Sequence, residues 1–265
     1  MSADERHGGV VATPGAHWQQ EELAASFAER RRILIPLLEL QEDVLTRVFS
    51  RSERAVKRFL DVGAGAGAMS ELMLGAGGAG SESSGVLVDF SQPMLARAGV
   101  NLADYAGRWQ AVTGDLNEPA WRDALPGGRY DAVVSGLAIH HLPPERKPAL
   151  FAEILELLEP GGMFVNMDYV AIDGPLRGLF DEEMLANAVR AASSPEAEGE
   201  SGGARHEHSL SPQQQADLED DDDRPDTVED QLRWLRDVGF EQVEVHFKWA
   251  EAAIFGGMRP VKGNE

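Results

Sequence analysis

The residues best equipped for chemistry sit at the ends of short apolar runs. Phe59-Leu60-Asp61-Val62 leads into Gly63-Ala64-Gly65-Ala66-Gly67-Ala68, and Met69, Leu72 and Met73 follow at helical spacing. A strand turning through glycines into a helix lets a ligand touch backbone. Gly63 and Gly65 carry no Cβ to block its approach, and the helix N-terminus offers unpaired N–H groups and the positive end of a dipole. The string also satisfies G-x-G-x-x-A, so a dinucleotide is a formal match, and glycine turns arise for packing reasons alone. Its company narrows the choice. Asp61, two residues before the first glycine, opposes a diphosphate and suits a cationic ammonium. Asp89 closes the second run, where a carboxylate accepts both hydroxyls of a ribose, each charge-assisted bond contributing at most about 1.5–3 kcal/mol before desolvation. Asp115, in Gly114-Asp115-Leu116, closes the third, placed to accept from an adenine amino group. Three acids at three strand ends describe a nucleoside with an amino-acid tail.

The elements that must position these residues follow from the apolar pattern. Runs at 59–62, 86–89, 109–115, 130–135 and 163–168 alternate with helix-length segments, which predicts a parallel sheet covered on both faces. A helix is predicted from about 144 to 158, opening at Pro143-Pro144 and stopping at Pro160-Gly161-Gly162. A last helix is capped by Asp226 or Thr227, with Asp230 three residues after Thr227, and ends at Gly239. The runs 241–249 and 252–258 are too close for a crossover and should pair antiparallel. Upstream, residues 18–50 carry apolar residues at helical spacing, among them Leu34, Leu37, Leu38, Leu45 and Val48, predicting two helices bent near Pro36. Residues 1–15 are polar and without periodicity, and a flexible N-terminus is expected there. Residues 193–226 are polar and densely acidic and are expected to form a mobile connection; Asp217, Glu219 and Asp220 to Asp223 read as a solvated, self-repelling stretch.

Composition removes several classes. The 265 residues carry 24 Lys plus Arg against 45 Asp plus Glu, a net charge of −21, which disfavours a nucleic-acid partner. There is no Cys, so disulfides, thiolate metal sites and a Cys nucleophile are excluded. The N-terminus has no apolar leader and no run approaches the roughly 18 apolar residues of a membrane span, which points to a soluble, cytoplasmic protein. A monomer or homodimer is expected.

The stretches LDVGAGAG (60–67), VLVDFSQPMLARA (86–98), GDLNEP (114–119), YDAVVSGLAIHHL (130–142) and LEPGGMFVNMDY (158–169) together resemble the class I S-adenosylmethionine (SAM)-dependent methyltransferases, in that family's order and spacing. The closing segment 234–260 resembles the final helix and hairpin of its small bacterial members. The resemblance implies an α/β, Rossmann-like doubly wound sheet of seven strands with one antiparallel. It divides the chain into a flexible start (1–15), a helical lid (16–50) and a methyltransferase domain (51–265) with an acidic insertion at 193–226. It implies that Asp61, Gly63, Ala64 and Gly65 hold the methionine end of SAM, and Asp89 the ribose. Asp115 and Leu116 would hold the adenine, Phe90 would lie against its ring, Met94 would follow on the next helix, and Ser135 would lie beside the methionine portion. S-adenosylhomocysteine (SAH) would be the product, and the acceptor a small organic molecule methylated at O, N or C.

Methyl transfer from a sulfonium needs alignment more than a protein nucleophile; a general base matters only where the acceptor must lose a proton. His140 and His141 follow the fourth strand, and because they are adjacent in a turn their side chains are expected to diverge, His140 toward the pocket as the base candidate. Asp168, ending the fifth strand, is the second catalytic candidate, with a loop cap as the alternative role. Trp18, Phe27 and Arg30-Arg31-Arg32 fall in the lid, the arginines read as a solvated face paired with Glu22 or Glu29; an inward Arg would favour an acidic acceptor. No metal site is expected, His206-x-His208 being a weak signal. Two other classes remain: a non-catalytic or non-methylating SAM-binding protein, and an NAD(P)-dependent Rossmann oxidoreductase, which Asp61 opposes.

Overall fold

The computed structural model describes residues 31–52, 54–75, 82–192 and 223–261. Its helices and strands are α1 (Leu38–Ser50), β1 (Arg58–Val62), α2 (Ala68–Leu74), β2 (Ser84–Asp89), α3 (Gln92–Asn101), β3 (Trp109–Thr113), β4 (Tyr130–Gly136), α4 (Lys147–Leu157), β5 (Leu158–Tyr169), α5 (Leu179–Ala192), α6 (Val228–Val238), β6 (Glu241–Trp249) and β7 (Ala252–Met258). The seven strands form one sheet in the order β3-β2-β1-β4-β5-β7-β6. β1 to β5 run parallel, and β7 is antiparallel to both β5 and β6. Sequence order reverses between β1 and β4, which is the switch point beyond whose strand ends such sheets bind ligands.

Alternation along the strands builds two cores. Leu60, Val62, Val86, Val88 and Val133 face Leu150, Phe151 and Ile154 of α4 and Leu235 of α6. Phe59, Leu87, Ala132 and Val134 face Leu45 and Phe49 of α1, Met69 and Met73 of α2, and Ala98 of α3. Strands buried on both faces read as continuous apolar runs, which is why they stood out in the sequence.

Two boundaries and one helix differ from expectation. α4 begins at Lys147 with Pro148 in its first turn and ends at Leu157, because 143–146 close a separate turn through Arg146 N donating to Pro143 O at 2.9 Å. Pro160-Gly161-Gly162 lies inside β5 rather than in a helix-stop loop. There the register with β4 shifts between Tyr130↔Leu158 and Ala132↔Met163. Gly161, at φ +75°, makes this bulge possible, and the freed backbone pairs with Arg259 at 2.9 and 2.8 Å. α5 was not anticipated, although Phe180, Met184 and Ala188 do recur at helical spacing.

Other signals held. Thr227 caps α6, its hydroxyl oxygen accepting from Asp230 N at 3.1 Å, and Gly239 closes the helix at φ +106°. The other cap candidate, Asp226, instead pairs with Lys147 at 2.6 Å. The chain bends at Ile35–Leu37, with Leu37 at φ 55°, before α1. Arg31 is a correction: its side chain is only 11% exposed and reaches Glu42, as does the exposed Arg32, because the bend folds 31–34 back toward α1. Trp18, Glu22, Phe27, Glu29 and Arg30 lie outside the described residues, as do the start of the chain and 193–222. Among the described residues no helix is long and apolar enough to cross a membrane.

Candidate active site

The turn after β1 is held by its neighbours. Gly63 N and Ala64 N donate to Val88 O at 2.9 and 3.1 Å, and Gly65 N donates to Asp89 Oδ2 at 2.8 Å. Asp89 Oδ1 accepts from Ser91 N at 2.8 Å, so this carboxylate clamps the glycine turn as well as ending β2. Burial pushes its pKa up, against the N–H groups of Ser91, Gly65 and Phe90. Gly63 and Gly65 adopt φ +68° and +50°, open to glycine at little cost. The space around them differs. A Cβ on Gly63 would lie 2.3 Å from Ala138 Cβ, so this glycine admits the loop after β4, whereas one on Gly65 would meet only the flexible Met94 methyl at 3.1 Å. Leu137, at φ 53°, turns that loop toward Gly63.

Asp61 is wholly buried on the α2 side of β1. Ser70 Oγ donates to its Oδ2 at 2.6 Å, while Oδ1 has no hydrogen-bond partner. Burial lifts its pKa to about 7, opposed by Ser70 and Arg31 and reinforced by Asp89. An orphaned buried carboxylate oxygen beside a glycine turn fits a ligand ammonium. At the next strand end, Asp115 Oδ1 accepts from Asn117 N and Nδ2, both at 2.9 Å, and Leu116 beside it is buried. Phe90 is half-buried and Met94 buried against the turn. Ser135 is fully buried and its hydroxyl donates to Val62 O at 2.8 Å, tying β4 to β1. The ammonium-, ribose- and adenine-binding candidates are thus gathered along β1, β2 and β3, and the residues present fit SAM.

Beyond β4 and β5 lies a second centre. His140 Nδ1 is 2.6 Å from Asp168 Oδ1, with both side chains buried. Asp168 is itself held by Asn166 Nδ2 at 3.1 Å and Tyr169 N at 3.0 Å, so it orients an imidazole rather than capping a loop. His140 and His141 do not diverge as expected. Their ring centroids are 4.0 Å apart, and His140 Nε2 and His141 Nδ1 approach the same oxygen, Asp223 Oδ1, at 3.3 and 3.1 Å. The reason is a segment laid across the 3-10 turn Ile139–His141: Arg224 N donates to His140 O at 2.9 Å, and the fully buried Lys147 binds Arg224 O and Asp226. Burial alone would lower the His140 pKa, but Asp168 and then Asp223 outweigh it and raise it to about 10. Asp223 is correspondingly held well below the carboxylate range by the two imidazoles, against its own burial.

Asp223 is a candidate site residue that sequence reasoning missed. It ends an acidic run indistinguishable from a solvated loop, and only the contacts of Lys147 and Arg224 set it apart. Tyr169 was also missed: its ring is 6.1 Å from His140, and its hydroxyl donates to Asp181 Oδ2 at 3.2 Å. Burial, then Asp181 and Glu251, push the Tyr169 pKa up. Asn187 Nδ2 of α5 donates to Leu34 O at 3.0 Å, which ties α5 to the segment before α1.

A doubly wound sheet with an acid in β1, a glycine turn and an acid ending β2 defines a nucleoside-binding α/β protein of the SAM-binding kind. Comparison with known proteins agrees. The profile of the family described as "Methyltransferase domain" matches residues 59–162. Over 119 residues the chain is 33% identical to the ubiquinone/menaquinone biosynthesis C-methyltransferase UbiE of Methylobacterium nodulans, covering 44% of each chain. Over 103 residues it is 32% identical to a carboxy-S-adenosyl-L-methionine synthase of a Shewanella species, covering 38% of this chain and 40% of that one. The chain therefore spans less than half the length of these curated relatives. In fold it is similar to an O-methyltransferase family protein of Burkholderia thailandensis, with a TM-score of 0.63 at 14% identity, over 93% of this chain and 63% of that one. Residues 59–162 are thus similar to a methyltransferase domain, and the sheet around them has the Rossmann-like fold of SAM-dependent methyltransferases.

Proposed function

We propose that this protein uses SAM to methylate an oxygen of a small organic acceptor, whose hydroxyl is activated at His140. The observation that carries this reading is the buried 2.6 Å contact between His140 Nδ1 and Asp168 Oδ1 beyond the ends of β4 and β5. A carboxylate on Nδ1 fixes the orientation of the ring, presents Nε2 to the Asp223 side of the pocket and raises the basicity of that nitrogen. A carbon acceptor already nucleophilic would have no use for it.

SAM supplies the methyl group as a sulfonium. As the acceptor oxygen bonds to the methyl carbon, the carbon–sulfur bond breaks and its electron pair returns to sulfur. The positive charge on sulfur is lost, and the acceptor's proton passes to water. The chain's share is to hold the ammonium at Asp61, the ribose at Asp89 and the adenine between Asp115 and Leu116, and to set the acceptor oxygen in line. Alignment of that kind contributes up to roughly 7–11 kcal/mol toward the barrier. Asp223, 3.3 Å from His140 Nε2, lies on the side of the imidazole that the acceptor hydroxyl approaches.

The test is a screen of small phenols, hydroxy acids and hydroxylated heterocycles for SAH release, repeated with His140→Ala. Methylated oxygen in a product whose formation depends on His140 supports the reading. Turnover only on carbon or nitrogen acceptors, or a SAM derivative modified without any acceptor, overturns it.

A further inference from the structure

The convergence of two neighbouring imidazoles on one carboxylate oxygen has a second meaning. One ligand atom each of His140, His141 and Asp223 lies within 4.8 Å of the other two. The two nitrogens stand 3.3 and 3.1 Å from the oxygen. A tetrahedral zinc-like ion with bonds of about 2.0–2.1 Å separates its donor atoms by about 3.3 Å, so both nitrogen-to-oxygen separations already match two edges of such a site. The set is two imidazoles and one carboxylate, which is ligand chemistry for a first-row transition cation rather than for magnesium or calcium.

The surroundings are those of a built site. The far nitrogen of His140 is fixed by buried Asp168, which Asn166 and the Tyr169 N–H hold in turn. A carboxylate behind a histidine is the usual outer shell of a metal-binding imidazole, setting its tautomer and raising its basicity. Asp223 is likewise delivered by structure, through Arg224 N on His140 O and through Lys147 on Asp226. The exposed side of the cluster, where the side chains of His141 and Asp223 are 22% and 33% exposed, leaves room for further ligands.

We propose that His140, His141 and Asp223 bind a divalent transition-metal cation of the zinc type, with an open coordination position for the acceptor's hydroxyl oxygen. The proposal rests on the reading of this pocket as the acceptor site and specifies how His140 activates the hydroxyl: the cation takes the place of the proton on Nε2. An oxygen bound to it releases its proton to water and attacks as an alkoxide or phenolate. The donor set is also distinct from His206-x-His208, the pair the sequence offered.

The experiment uses the full chain, stripped with a chelator and dialysed. Zinc chloride is titrated calorimetrically, cobalt(II) is followed by its visible d–d absorption, and SAH is titrated into the same preparations. The expected result is one zinc per chain with micromolar or tighter affinity, and a four-coordinate cobalt spectrum. His141→Ala and Asp223→Asn should each weaken binding at least tenfold, and Asp168→Asn by about 10–100-fold. Absence of zinc binding in a protein that binds SAH overturns the metal site and leaves the methyltransferase reading in place. Zinc binding unchanged in both His141→Ala and Asp223→Asn also overturns it, by locating the ion elsewhere. Failure of SAH to bind speaks instead against the cofactor reading. Asp223→Asn, nearly isosteric at a part-exposed position, keeps the test decisive if His141→Ala does not fold.

Discussion

Asp61 couples stability, pH and cofactor binding in opposite senses, and the coupling can be worked out before any acceptor is known. Its carboxyl is wholly buried, bonded to Ser70 on one oxygen, near Asp89 and within the field of Arg31, with a folded pKa of about 7 against an ordinary 3.8. Because the folded value is raised, the ligand-free protein holds an extra proton between about pH 4 and 7. Stability is therefore greatest on the acid side and falls as pH rises through that window, by a ceiling of about 4 kcal/mol. Asp61→Asn keeps an acceptor for Ser70 and removes the charge. It should raise the urea midpoint of the ligand-free protein at pH 8 and leave it nearly unchanged at pH 4. Binding runs the other way. A ligand ammonium needs the carboxylate, whose ionised fraction drops from about 76% at pH 7.5 to about 9% at pH 6, while an α-amino group stays charged below about 7.7. Calorimetric SAH affinity should then weaken about eightfold between those pH values, about 1.2 kcal/mol. In Asp61→Asn the affinity should be lower and this slope absent. Wild-type and Asn proteins with equal slopes would refute the assignment of the ammonium to Asp61, because Asp89 or another group would then be titrating.

Other expectations follow from single contacts. Asp89→Ala removes the acceptor of both Gly65 N and Ser91 N along with the ribose partner, so SAH affinity should fall by at least tenfold, read by calorimetry. Asp168→Asn should lower turnover by about 10²–10⁴ while SAH affinity stays within twofold, since it acts through His140. Gly63→Ala should prevent folding or cost several kcal/mol, seen as a lower melting temperature, because its Cβ would lie 2.3 Å from that of Ala138 at φ +68°. Thr227→Ala should cost about 0.5–2 kcal/mol of stability by denaturant titration and leave SAH binding unchanged.

The sequence by itself determined the sheet and the positions of the cofactor-site candidates. Strands buried on both faces must be continuous apolar runs, and a glycine turn between a strand and a helix has few alternatives. The acids Asp61, Asp89 and Asp115 could therefore be placed at strand ends from local pattern alone, as could the caps Thr227 and Gly239. What the pattern could not carry was any contact between residues far apart in the chain. Gly63 reads as room for a ligand until Ala138 is found beside it. Pro160-Gly161-Gly162 reads as a helix stop until Arg259 pairs with the bulge. His140 and His141 read as divergent neighbours until Lys147 and Arg224 draw Asp223 across them. Local propensity is written in adjacent residues and survives in the sequence, whereas the acceptor side is built from side chains 28 to 83 positions apart, from His140 to Asp168 and to Asp223. Only the closure of the sheet brings those together, and closure is a property of the whole packed chain.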